Sequence, residues 1–233
     1  MRRYIYFVFL LCCAVNLLLT SCVQQKYVVM DMVHHNPGEA MTESKFLDPS
    51  FLKKNEYGAK VFFLFEAAQF GIDWKSFDPS LFPDTTEAGR WVAEKAEIIH
   101  KKYDAAKKED LQVYCMLDML VLPSLLVEKH RTELTNEQGK LDISKPYTQL
   151  CIRELMKEMF ETFPQLDGLV IRTGETYLHD APYYVGNHPV QNGMYDHITL
   201  INLLREEVCE RRNKKLFYRT WDMGQLHSIP KYY

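Results

Sequence analysis

The chain has 233 residues, 28 Lys plus Arg against 31 Asp plus Glu, and 47% hydrophobic residues. That length supports one large domain with a real core. The near-neutral balance, with no basic stripe interleaved with aromatics, argues against a nucleic-acid partner.

At the N-terminus, Arg2 and Arg3 precede an apolar run from Tyr4 to Leu19 that only Asn16 interrupts, the charged and apolar regions of an export signal. The run stops at Leu19-Thr20-Ser21-Cys22, short of the roughly 20 apolar residues a membrane-spanning helix needs. This quartet looks like a lipobox. Small residues before the cysteine admit an extended backbone to a peptidase, and the Cys22 thiol can become a thioether to diacylglycerol. The sequence therefore predicts a lipoprotein signal peptide over 1–21 and a mature domain over 22–233. That domain is expected outside the cytoplasm, held by lipid on Cys22 to an envelope membrane, the outer membrane first. An ordinary secretory signal and an uncleaved anchor are the alternatives. Cys12 and Cys13 leave with the signal, so Cys115, Cys151 and Cys209 remain, an odd and widely spaced set that reads as buried free thiols.

Lys26 to Val33 reads as a first strand, followed by His34-His35-Asn36-Pro37-Gly38-Glu39. Lys60 to Phe65 is a second strand. After Pro83-Asp84, with Thr85 or Thr86 as cap, Val92, Ala96, Ile99, Tyr103 and Ala106 follow helical spacing. Gln112 to Leu117 is a third strand. Leu150 or Cys151, Leu155, Met159 and Phe163 form a second helical stripe, stopped at Pro164. Gly168 to Arg172 is a fourth strand. Leu200, Ile201, Leu204 and Val208 make a third stripe ending at Asn213-Lys214-Lys215, and Leu216 to Trp221 is a fifth strand.

These strands are apolar on both parities, as in parallel sheets covered on both faces. Strict alternation of strand and helix gives an α/β fold with right-handed crossovers. The loop after the first strand lacks the GxGxxG of a dinucleotide-binding doubly wound sheet, and the polar loops after each strand suit a (β/α)8 TIM barrel. Only about five βα units are visible where a closed barrel has eight, so the expectation is a partial, C-terminally truncated barrel; five strands as the whole design is the alternative.

The densest group of chemistry-bearing residues follows the fourth strand: Arg172, Glu175, Tyr177, His179 and Asp180. Gly174 permits a sharp turn, and a carboxyl at a rigid strand end can be tuned by partial burial to act as general acid. The competing reading is a structural ion pair between Arg172 and Glu175. Asp31, Glu39, Glu66, Asp118 and Asp222 occupy comparable strand-end places. Glycoside hydrolysis needs two carboxyl groups, about 5–5.5 Å apart for retention or about 6.5–9.5 Å for inversion, and neighbouring strand ends meet either spacing. Trp74, Tyr177, Tyr183, Tyr184 and Trp221 could stack on sugar rings. A metal centre from His34, His35, His179, Asp180, His188 and Asp222 competes. Adjacent His34-His35 is not the His-x-His that points two imidazoles one way along a strand, so no metal and no cofactor is expected. Neither Gly-x-Ser-x-Gly nor a P-loop occurs.

The run Asp167 to Tyr177, with His34 to Glu39 earlier and Tyr218-Arg219-Thr220-Trp221-Asp222 later, resembles the barrel domain of α-glucuronidase-like glycoside hydrolases of Bacteroidetes. The resemblance is strongest over Arg172 to Tyr177. It implies a carbohydrate substrate, with Glu175 as proton donor; the strand-end reading offers Asp222 or Asp118 as a second carboxylate. Arg172, Tyr177, His179, Asp180, Trp221, His34, His35, Asn36 and Glu39 would bind sugar hydroxyls or a uronate. It also implies that partner carboxylates arrive from later strands, a departure that leaves open an inactive fragment or a noncatalytic surface glycan-binding lipoprotein.

Overall fold

A computed structural model describes residues 28–31, 44–63, 66–173, 176, 178 and 181–219. Among these, seven strands form two sheets: β1 (Met30–Asp31), β2 (Ala59–Phe62), β3 (Gln112–Asp118), β4 (Val121–Pro123), β5 (Gly168–Arg172), β6 (Tyr184–Gly186) and β7 (Lys215–Arg219). The main sheet has the order β1-β2-β3-β5-β7, and every neighbouring pair is parallel. Each strand joins beside its predecessor, so the winding never reverses. A doubly wound sheet reverses at its switch point. The chain is thus an α/β fold wound as a (β/α)8 barrel is, with a five-strand arc in place of eight strands among the described residues.

The helices are α1 (Pro49–Lys54), α2 (Glu87–Lys108), α3 (Ser124–Lys129), α4 (Arg131–Leu134), α5 (Pro146–Thr162) and α6 (Met194–Leu204), the last widening into a π-helical turn over Arg205–Glu210. Thr86 is the cap of α2: its Oγ1 accepts from the Gly89 N–H at 3.0 Å. Of the predicted stripe on α2, Val92, Ile99, Tyr103 and Ala106 are fully buried and Ala96 is partly buried. On α5 the buried position is Cys151, while Leu150 faces solvent. Each large apolar side chain buried this way contributes about 1.5–3 kcal/mol against leaving it in water.

Strand parity divides the core in two. Phe62, Val113, Cys115, Leu117, Leu169 and Ile171 pack with the helices on the outer face. Ala59, Val61, Tyr114, Met116 and Val170, with Met30, Phe63 and Phe217 against them, form a separate inner cluster. Both faces of β3 and β5 are therefore dry, which is why their sequences are apolar without alternation. Gly168 is required where β7 docks, because a Cβ there would lie 2.1 Å from the Lys215 carbonyl oxygen. The antiparallel pair β4–β6 sits beyond the strand ends and ties the loop after β3 to the loop after β5.

Candidate functional site at the strand ends

Asp118 and Arg172 are the last residues of β3 and β5 and are paired directly across the ladder. Both fall on the parity of the inner face. Arg172 Nε donates to Asp118 Oδ1 at 2.5 Å and Nη2 donates to Oδ2 at 2.6 Å, with each side chain only 5% exposed. Such an arrangement survives burial because two parallel charge-assisted bonds offset the desolvation of both ions. The Arg172 guanidinium carbon lies 4.7 Å from the ring centroid of Phe63, the residue that follows β2. Arg219 holds the next ladder position beside Arg172 on β7. A carboxylate and a guanidinium, with an aromatic ring beneath, thus line the C-terminal edge of the arc. Two residues past Asp118, Leu120 adopts φ 56°, a costly backbone for a bulky side chain, and starts the turn into β4.

Directly behind this edge, on the helix side, Thr173 continues β5 and is buried. Its Oγ1 is 3.5 Å from the Tyr218 hydroxyl, which lies 3.3 Å from His197 Nδ1 on α6. Burial lowers the His197 pKa below 6.5. His188, in the loop after β6, is lowered too, first by burial and further by His197. The Val190 N–H donates to His188 Nδ1 at 2.9 Å, so in the neutral ring the proton sits on Nε2.

Of the residues singled out by sequence, the structure brings Asp118 and Arg172 together. Glu175, Tyr177, His179, Asp180, Trp221, Asp222, His34, His35, Asn36, Glu39, Cys22 and the 1–21 signal lie outside the described residues. The expected action of Arg172 on Glu175 falls outside the described residues; among those described, Arg172 pairs with Asp118. Glu66 ion-pairs with Lys102 of α2. Trp74 and Tyr184 are core residues, 0% and 5% exposed, and Tyr184 stacks edge-on with Phe70, so neither offers a ring to a sugar. Phe63 and His197 were not singled out, and Thr173 and Tyr218, though inside the runs that carry the resemblance, were given no role. Phe63 lies in the apolar run read as the second strand, but its place on the inner face follows only from the strand's register. No local pattern carried a signal for the other three, which meet only once β5, β7 and α6 are assembled. Among the described residues no group of three His, Cys, Asp or Glu has metal-holding geometry, and no helix is long and apolar enough to cross a membrane.

No protein-family model and no curated protein matches the chain. Solved structures that it is similar to include a noncanonic maltogenic α-amylase from Thermotoga neapolitana, at 14% identity and TM-score 0.45 over 84% of this chain and 46% of that one. The galactosidase domain of an α-galactosidase–sucrose kinase aligns at 14% identity and TM-score 0.42 over 74% of this chain and 23% of that one. A GH138 enzyme targeting the pectin rhamnogalacturonan II aligns at 14% and 0.35 over 64% and 18%. The chain spans less than half the length of each. Its fold assignment rests on strand order and parallel register.

Proposed function

We propose that this chain is a glycoside hydrolase-like lipoprotein acting on polysaccharide or uronic-acid-containing oligosaccharide, with Glu175 as general acid. The observation that supports it most is the buried Asp118–Arg172 pair at neighbouring strand ends of a singly wound parallel arc. In folds wound this way the C-terminal strand edge is where catalytic groups collect. Glu175 stands three residues beyond Arg172 in the chain. A carboxylic acid in that place can protonate the leaving glycosidic oxygen while a second carboxylate acts as nucleophile or activates water. Because both oxygens of Asp118 are engaged by Arg172, we assign the second carboxylate to Asp222 and give Asp118 the task of holding the guanidinium. Arg172, Tyr177, His179, Asp180 and Trp221, with His34, His35, Asn36 and Glu39, would then orient sugar hydroxyls or a uronate. The α-glucuronidase-like resemblance names the family and favours the uronate.

In the same reading residues 1–21 are removed, Cys22 carries lipid, and the domain over 22–233 works at the cell envelope, the outer membrane first. The test is turnover of aryl glycosides by the full chain, beginning with 4-nitrophenyl α- and β-glucuronides, galactosides and glucosides, with Glu175→Gln in parallel. The hydrolase reading expects turnover of at least one, lowered in the variant while binding persists. Binding of glycan without turnover by either protein would assign a noncatalytic glycan-binding lipoprotein instead.

A further inference from the structure

We infer that Tyr218, with Thr173 and His197, is a positioning set that fixes the chain as it leaves β5. The consequence for catalysis rests on the hydrolase reading above. Consecutive residues of a strand point to opposite faces. Arg172 is gripped inward by Asp118, and Thr173, the next residue, meets the Tyr218 hydroxyl on the outward side. The end of β5 is therefore contacted on both faces, inward at Arg172 by Asp118 and outward at Thr173 by Tyr218.

The outward grip is itself anchored. The rings of His197 and Tyr218 meet edge to face at 4.9 Å, and the tyrosine hydroxyl faces His197 Nδ1. His197 belongs to the first turn of α6. There the neighbouring Asp196 carboxylate accepts the N–H groups of Gln191 and Asn192 at 2.7 and 2.6 Å. Strand β7, helix α6 and the end of β5 thus converge on one hydroxyl. Misplacing a reacting group by ~1 Å costs up to about 100-fold in rate, so a hydroxyl remote from the substrate can matter to turnover. Tyr218 is a positioning residue in this account.

Tyr218→Phe keeps the ring and deletes only the hydroxyl, so packing is preserved. Amide hydrogen exchange of the full chain reads the effect without any substrate. Exchange over residues 173–178 should quicken about three- to tenfold in Tyr218→Phe and Thr173→Val, with Thr173→Ser close to the parent and the remaining peptides unchanged. On whichever aryl glycoside the parent turns over, the same variants should lower kcat about tenfold at constant KM, with Thr173→Ser restoring it. Unchanged exchange over 173–178 in both variants would overturn the positioning role. Local quickening in a chain that hydrolyses none of the glycosides supports the positioning role while removing the hydrolase reading, so the two failures are distinct.

Discussion

Arg172 holds Asp118 by two N–H···O bonds of 2.5 and 2.6 Å across the last rung of the β3–β5 ladder. The pair joins two strand ends that are 54 residues apart in sequence. It fixes the edge from which the loops after β3 and β5 depart, so the guanidinium is in place before any ligand arrives.

Removing one member deprives the other buried ion of this paired counter-charge, at a cost of up to about 3–5 kcal/mol. Asp118→Asn should therefore lower the Tm by up to about 6–20 °C, given about 2–4 °C per kcal/mol for a domain of this size. Asp118→Leu with Arg172→Met should recover much of that loss, because neither charge is then buried. Thermal or urea unfolding of the three proteins measures it, and a single variant as stable as the parent would show that the pair contributes little.

Acid should destabilise the chain in two windows. Burial lowers the pKa values of His197 and His188 below 6.5, so protons favour the unfolded chain. The associated stability is complete above 6.5 and is lost as pH falls below it toward the lowered folded values. Asp78 is held at about 2, against an ordinary 3.8, first by the Lys129 ammonium and then by Ser80. Its contribution is present above 3.8 and vanishes as pH falls toward 2, about 1 kcal/mol after solvent screening. Unfolding measured from pH 8 to pH 2 should show both declines. His197→Asn should flatten the first and Asp78→Asn the second; a curve insensitive to both substitutions contradicts the assignment.

The thiols give a test of burial and of export together. Cys115 and Cys151 are buried, and desolvation pushes both up to about 12, whereas Cys209 is half-buried. A thiol reagent at pH 8 should leave Cys115 and Cys151 unmodified in the native protein. In urea the reagent should count three thiols if Cys22 is a thioether and 1–21 is gone. Retention of the signal with a free Cys22 would give all six cysteines of the sequence.

Strands and long helices were legible where one dominant force wrote the pattern. Gly168 to Arg172 matches β5 residue for residue, since five buried positions flanked by polar residues leave a clear run. The stripe from Val92 to Ala106 marks α2 for the same reason. The β4–β6 pair was not legible, because three-residue strands have no periodicity and their partners lie some sixty residues apart, at Leu122 and Val185. Leu200, Leu204 and Val208, spaced by four, resemble one continuous helix and conceal the widened turn at Arg205–Glu210. At the site, Arg172 and Asp118 were each visible as strand-end charges, but their partnership depends on register, which no local pattern encodes.

The role proposed for Glu175 is donation of a proton to the leaving sugar oxygen. The most direct measurement is the dependence of the Glu175→Gln rate on the leaving group, using alkyl and aryl glycosides of the accepted sugar. A general-acid variant should lose about 100- to 10,000-fold with a poor leaving group that needs protonation, such as a methyl glycoside. It should keep most of its activity with 2,4-dinitrophenolate, which departs without a proton. An equal loss across all leaving groups, or no loss at all, would contradict the assignment of Glu175 as the acid.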